Sequence, residues 1–538
     1  MTRGACAGVC RWIAVVSLSA FCLWRSFTVA AAYFNADDAY SYSASWRSAA
    51  RHAPEGGLAL LCDGGERMAP VDRSRLIFVS WERAPDRLAL VDGAGDLGRV
   101  DCVLSSNWHP ASAGERLASE GFAVVSTNGY VKTWARKGAA CSRARSPVPA
   151  VSKTRELSAL LLELSLMVAG VWFAAGRRCT AGWSSVAAFL VAAALGCVAL
   201  SHPLLAPNGL GVYGGKAKLL YECGGIPEAF LDSDGGRTLQ PSYPPGLTML
   251  AYLHFAISGG CGDRLVQLLP VFAMGLLSLV LLRGSRGFRS AVPVVLFCLS
   301  PLAIRLSSGF YAEPFVALLL VAGWGMMRDG RAGAGSLAMG LAGLFRPEAG
   351  GAAVLFAACG CAVGGYCGTR LVVVVSAVVP TLLWIAACRL LGYGGLADWN
   401  VAMTPRIGQI ASAALAVLDA LWKQAIPVFA LMFLLRPSGW WDGRRDVLLS
   451  IVPVALLGCA IPLTCGFYDA PYAQWMMDNT IPRLVWYLLP VPLFAWSHPR
   501  RGRVILPHAE DLLATRGTKC FLTCWAFGLA TPTAVVFR

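Results

Sequence analysis

The chain has 538 residues, of which 56% are hydrophobic and 14% charged, with a formal net charge of +15 and a mean hydropathy of +0.57. Soluble domains carry about 25% charged residues, so this composition excludes an ordinary soluble globular protein. The positive charge does not point to nucleic acid: the basic residues lie in short clusters between apolar runs, at Arg177-Arg178, Arg283/Arg286/Arg289, Arg328/Arg331, Arg436/Arg444/Arg445 and Arg500/Arg501/Arg503, a distribution that orients membrane helices.

Residues 12–32 form the first apolar run, and two readings stay open. It is either a signal peptide with small residues near 30–32 or a retained first helix with Arg25 snorkelling. Either one exports the adjoining segment. Over 33–155 charge rises and long apolar runs vanish. Short strand-like runs at 58–62, 76–80, 88–91, 101–104, 122–125 and 130–136 alternate with helix-like pieces at 39–51 and 111–120, which predicts a small extracytoplasmic α/β domain. Asp63-Gly64-Gly65 follows a strand end and reads either as a turn or as a ligand-binding end. A disulfide within Cys62, Cys102 and Cys141 is open. The other cysteines, of 19 in all, lie mostly inside apolar runs without metal-ligand spacing.

Runs long enough to cross a bilayer come next, near 157–175, 183–201, 264–282, 291–306, 313–327, 335–365, 371–389, 420–435, 447–464 and 484–497. The run 335–365 reads as two short helices around Arg346, and 246–259 as a re-entrant or interfacial helix. This arrangement puts the Arg clusters on the cytoplasmic side and the loops 33–155, 203–245, 390–408 and 465–483 outside. A last span over 520–538 is left open. The expected fold is an all-α polytopic membrane bundle of about 11–13 helices with a small extracytoplasmic α/β domain: a first helix or signal anchor over 1–32, the α/β domain over 33–155, a core over 156–500 and a basic cytoplasmic segment over 501–538.

Candidate chemistry sits where charge meets apolar sequence. Asp37-Asp38 directly follows the first run and reads as a general base or as a helix N-cap. Asp232 and Asp234, in DSDGG, read as turn formers or as a base or metal contact. Lys216 and Lys218 flank Tyr213 and Tyr221 and suit contact with lipid phosphate. Ionisable residues inside apolar runs mark function or mutual pairing: Arg305 and Glu313 around SSGFYAEP, and Arg346 with Glu348 in LFRPEAG, where Pro347 breaks the helix. Asp478 and Arg483 stand in DNTIPRLVWYLLP. There Arg483 reads as a bidentate phosphate ligand or as an interfacial anchor.

The motifs Asp-Asp-Ala-Tyr, VYGGKAKLLYECGG…YPPG, SSGFYAEP, LFRPEA and DNTIPRLVWYLLP, in this order, resemble those of GT-C membrane glycosyltransferases. The likeness is to the group of protein O-mannosyltransferases and the lipid A aminoarabinose transferase. It covers roughly 203–500 and, more weakly, 12–50. The resemblance implies an enzyme that takes a sugar from a polyprenyl-phosphate carrier at the outer membrane face. The acceptor is a lipid, glycan or protein hydroxyl. It implies Asp37 or Asp38 as base with Asp232 or Asp234 as substitutes. Lys216, Lys218, Arg346 and Arg483 would steady the donor phosphate. Glu313 and Glu348 would orient those cations or the sugar, and Tyr243 of the YPPG corner joins the substrate-binding set. The donor is a substrate; no cofactor is implied, and a divalent metal requirement is left open. The pattern departs from the family at Asn208, where relatives often carry Asp, and in the α/β domain and two spans that separate Asp37-Asp38 from YPPG. Two other readings remain: a transporter or flippase for a lipid-linked sugar, and an inactive relative that only binds one.

Overall fold

The computed structural model describes residues 3–34, 58–62, 88–92, 101–106, 111–128, 131–138, 153–175, 183–201, 208–225, 242–261, 265–282, 288–364, 370–390, 406–435, 444–468 and 470–498. These residues are mostly helical, with one small sheet. The chain divides into two compact units: one takes 33–163, 199–267 and 526–538, the other 1–32, 164–198 and 268–525.

In the first unit five strands, β1 (Leu58–Cys62), β2 (Leu88–Asp92), β3 (Cys102–Ser106), β4 (Phe122–Asn128) and β5 (Val131–Arg136), form one sheet in the order β2-β1-β3-β5-β4. β1 runs parallel to β2 and β3, pairing Leu58 with both Leu88 and Cys102. β5 is antiparallel to β3 and β4, and a register shift between Val124 and Ser126 marks a bulge. Val103 and Leu104, on opposite faces of β3, are both buried, as are Leu117 of the helix Ala111–Ser119 and Phe122 of β4. Trp134 donates its indole N–H to Ser105 Oγ at 2.8 Å. A buried indole needs such a partner. Four of the predicted strands stand where the alternation put them, within one or two residues at most ends, and the hairpin strand 122–128 is longer than expected. The pieces at 39–51 and 76–80, and Cys141, lie outside the described residues.

The same unit holds a second block. NGLGVYGG winds as a π-helical turn over Asn208–Gly215 and continues without a break into the helix Lys216–Cys223, which Gly224 ends in the left-handed conformation (φ 71°). After Pro244-Pro245 the helix Gly246–Ser258 begins, and it ends at Gly259 (φ 74°) in the same manner. At 13 residues it is too short to cross a bilayer, as the sequence predicts.

The second unit is built from helices of two kinds. Trp12–Ala31, Ser184–Ser201, Leu371–Leu390, Ile407–Leu434 and Val447–Cys465 are long and apolar enough to cross a membrane, so the chain is a membrane protein. Large apolar side chains such as Phe27, Phe189, Leu371 and Leu383 stand exposed along them. That arrangement is stable where the solvent is hydrocarbon. Ala291–Cys298 and Pro301–Ser308 make a sixth span if counted together, bent by 50°. The bend lies where Ser300 accepts from the Ala303 N–H and Pro301 opens the next helix. The other kind is short and buried. Leu268–Leu282, Glu313–Arg328 and Ala332–Leu341 carry mostly buried side chains. Glu313–Arg328 and Ala332–Leu341 approach so closely that a Cβ on Gly335 would stand 2.5 Å from the Gly323 carbonyl oxygen.

Among the described residues five helices, or six with the bent pair, pass as crossing helices by length and composition, against the about 11–13 expected of the chain. Gly246–Ser258, Leu268–Leu282, Ala332–Leu344 and Pro347–Cys361 are apolar but only 10–17 residues long. Pro245 and Gly259 bound the first of these, and Pro347 separates the last two. The run 484–497 is assigned to two helices, Ile481–Leu488 and Pro490–Ser497, joined through Leu489, which keeps helical backbone angles (φ −64°, ψ −31°). The run 420–435 instead belongs to a longer helix, Ile407–Leu434.

Candidate functional site

Three breaks in the second unit bring four charged residues together. The first is the turn before Glu313. Phe310 there adopts a positive φ of 56°, a conformation disfavoured for a bulky residue, and Glu313 opens the helix Glu313–Arg328. The second is the short 3₁₀ turn Ala342–Leu344, after which Arg346 precedes the helix Pro347–Gly364. The third is the π-helical turn Met476–Thr480, which feeds Arg483 into Ile481–Leu488.

Arg346 is the hub. Its Nη1 donates to Glu313 Oε1 at 2.5 Å, and its Nη2 and Nε donate to Glu348 Oε1 and Oε2 at 3.2 and 3.3 Å. Arg483 Nη1 lies 3.3 Å from the same Glu313 oxygen, while its Nε donates to the Asn479 carbonyl at 2.6 Å. The Arg483 guanidinium also lies over the Tyr311 ring, 5.3 Å from its centroid. Side-chain exposure falls from 29% at Glu348 to 3% at Arg346 and 0% at Glu313, so Glu348 is the outer edge of the network. Two cations and two carboxylates balance, which is what a charge cluster in a low-dielectric interior requires. Balance is not saturation. Glu313 Oε2 and Arg483 Nη1 make no hydrogen bond among the described residues. The network holds Arg346 between two carboxylates, while Arg483 Nη1 meets Glu313 only as an ion pair at 3.3 Å, without hydrogen-bond geometry.

Tyr468 was not singled out by the sequence. It follows the helix Arg444–Cys465. Burial above all pushes its phenol above the ordinary tyrosine value. It stays a neutral donor near the outer edge of the network.

In the first unit the two lysines depart from expectation. Lys216 and Lys218 do not lie on a solvated loop; they stand on a helix and are buried, at 3% and 1% exposure. The glycine-rich turn winds helically instead of looping out, and this carries both stems into the packing. Lys216 Nζ donates to the Tyr243 carbonyl at 3.0 Å and lies 5.8 Å from the Tyr243 ring centroid. Tyr243 meets Tyr213 edge-on at 5.9 Å. Lys216 thereby ties the YPPG corner to the π-helical turn.

Sequence reasoning missed a further buried pair in this unit. His254 Nδ1 and Glu163 Oε2 are 2.9 Å apart, at 0% and 2% side-chain exposure. The second oxygen of Glu163 and Nε2 of His254 have no hydrogen-bond partner among the described residues. The signal was legible as a lone Glu in the apolar run LLLELSL and a lone His in AYLHFAIS, each costly in hydrocarbon unless paired.

Of the remaining candidates, Arg305 is exposed and stands outside the network, and Asp478 accepts from Gln474 Nε2 at 3.0 Å on the surface. Asp37, Asp38, Asp232 and Asp234 lie outside the described residues. Comparison of the chain with protein families, with curated proteins and with solved structures finds no match in any of the three.

Proposed function

We propose that this chain is a membrane glycosyltransferase that moves a sugar from a polyprenyl-phosphate carrier to a lipid, glycan or protein acceptor at the outer membrane face. The observation that carries the reading is the Arg346–Glu313–Arg483 arrangement. Glu313 stands between two guanidiniums, 2.5 Å from one and 3.3 Å from the other. Transfer from a phosphate carrier leaves negative charge on the departing phosphate, and a preorganised guanidinium stabilises that charge as it forms. Arg483 is held by fewer contacts than Arg346, one carbonyl and one longer ion pair, and its planar fork suits phosphate. Arg346, held by two carboxylates, positions Glu313 and through it Arg483. Glu348, at the exposed edge, and Tyr468 near it suit contact with the sugar.

The base in this reading is Asp37 or Asp38, with Asp232 or Asp234 as substitutes, because the chemistry needs a carboxylate to take the proton of the acceptor hydroxyl. Lys216 is assigned to the YPPG corner through Tyr243, which removes it from the phosphate contacts; Lys218 keeps its candidacy.

The test is transfer from a panel of radiolabelled polyprenyl-phosphate sugars in membranes carrying wild type, Arg483→Ala, or Asp37→Asn with Asp38→Asn. Transfer by wild type that is lost in both variants supports the assignment. Transfer that survives the Asp pair but not Arg483→Ala moves the base to the 226–241 segment. No transfer from any donor sinks the reading. The bent helix pair at 291–308 favours a second reading, a lipid-linked sugar transporter, because broken helices mark transporter binding sites. Donor that crosses proteoliposomes without being consumed would select it.

A further inference from the structure

The helix Lys153–Ala175 packs through a narrow face. Among its described side chains Ala159, Leu160 and Glu163 are buried, while Leu157, Leu161, Leu162 and Leu166 are exposed. Glu163 is the charged member of that face. It meets His254 of the helix Gly246–Ser258, which opens directly after Pro244-Pro245. The contact joins residues 91 apart in the chain.

Burial limits the charge that this pair can carry. With Glu163 ionised and His254 doubly protonated, or with that proton moved onto Glu163, the pair is neutral overall. Removing one proton leaves a net negative charge, and adding one leaves a net positive charge. Either is costly away from water. Nothing nearby answers the excess: among the described residues Glu163 and His254 ion-pair only with each other, and Glu163 Oε1 and His254 Nε2 have no hydrogen-bond partner. The ionisable side chains described on the elements packed against Gly246–Ser258 are Tyr213, Lys216, Lys218 and Tyr221, and those on the two paired helices are Arg155, Glu156 and Tyr252. Lys216 donates to the Tyr243 carbonyl. Arg155 is exposed, with its Nη1 3.3 Å from a Cβ placed on Gly259.

We propose that Glu163 and His254 form a proton-binding site that latches the helix Lys153–Ala175 onto Gly246–Ser258, with one exchangeable proton held by the closed pair. The water-exposed groups of the open state set the pH window. An exposed carboxyl titrates near about 4.3 and an exposed imidazole near about 6.5. Between those values the open pair carries the same single proton as the closed one, and the latch is tightest. As pH rises above about 6.5 the open His254 loses its proton, so closing must take one up and weakens. As pH falls below about 4.3 the open Glu163 gains a proton, so closing must release one and weakens again. The helix so held follows the YPPG corner directly, and the inference stands independently of the proposed glycosyl transfer.

The test is hydrogen exchange of the full chain in lipid nanodiscs, read by mass spectrometry over Lys153–Ala175 and Gly246–Ser258 and corrected for the intrinsic pH dependence of exchange. Wild type is expected to be most protected between about pH 4.3 and 6.5 and to lose protection at least tenfold by about pH 8.5. Glu163→Gln removes the carboxylate, so a neutral His254 suits the closed state. Its protection is expected to rise as pH passes upward through about 6.5, the opposite sign to wild type. His254→Gln leaves a buried carboxyl that closes only when protonated, and its protection is expected to fall as pH rises through about 4.3. A contact that is merely structural shifts protection equally at every pH. Wild-type protection that is flat across this range, or a Glu163→Gln variant that keeps the wild-type slope above about pH 6.5, overturns the proposal.

Discussion

Glu313–Arg346 and Asp419–Lys423 are both carboxylate–cation contacts on apolar helices, yet they are made in opposite ways. Glu313 and Arg346 come from separate helices and bury each other to 0% and 3% exposure. Asp419 and Lys423 sit one turn apart on one helix and stay 54% exposed. The first contact exists only because two helix breaks converge. The second is local and forms in any straight helix of that sequence. A charge pair held by tertiary structure can position a reacting group; a local pair on an open face needs no other helix to form.

The comparison is broken most severely at Arg346. Arg346→Ala leaves Glu313 buried with only the longer Arg483 contact, and losing one partner of a buried pair costs about 3–5 kcal/mol. Thermal unfolding in detergent is expected to show that loss, and Arg346→Lys to recover only part of it, because an ammonium cannot serve both carboxylates in a fork. An unchanged melting temperature would show that the network does not hold the helices together. Next in size is His254→Ala. It strips Glu163 of the imidazole at 2.9 Å and is expected to cost about 1–3 kcal/mol, visible as faster hydrogen exchange along Gly246–Ser258.

Arg483→Lys sharpens the functional side. Arg483 is tied by one carbonyl and one longer ion pair, so the fold should survive while kcat/KM for a phosphate-linked donor falls by about tenfold or more. A loss of roughly 1.4 kcal/mol in transition-state binding suffices for that. Equal activity in both proteins would remove Arg483 from the chemistry. In the sheet, Trp134→Phe removes the bond to Ser105 Oγ and is expected to cost about 1 kcal/mol, measured on the full chain by denaturant unfolding monitored through the α/β unit. The smallest effect is expected at the exposed pair. Lys423→Gln should change monomer stability in detergent by no more than about 0.5 kcal/mol, since detergent and water solvate what lipid cannot. A large loss there would mean the pair already holds the monomer together.

Much of the local structure is written in the order of residues. A short apolar run places β1 over Leu58–Cys62, and glycine and proline bound Gly246–Ser258. The Pro347 break divides 335–365 where the sequence says it should, with Arg346 at the joint. Similar breaks elsewhere shorten runs that hydropathy alone counts as spans. Leu268–Leu282 is apolar throughout and still only 15 residues long, because hydropathy measures what a segment prefers to touch and not how far it runs before turning.

The candidate site was legible one residue at a time and not as a whole. Glu313, Arg346, Glu348 and Arg483 each stood out as a charge in an apolar run, since an ionisable side chain in hydrocarbon needs a reason. That one Glu313 oxygen meets both guanidiniums could not be read, because residues 313, 346 and 483 meet only through packing. The burial of Lys216 and the pairing of Glu163 with His254 were hidden for the same reason. Sequence determined which segments are helices, which charges are costly and where the chain must bend. Tertiary structure decided which costly charges answer one another, since pairing depends on distances between helices that no local pattern encodes.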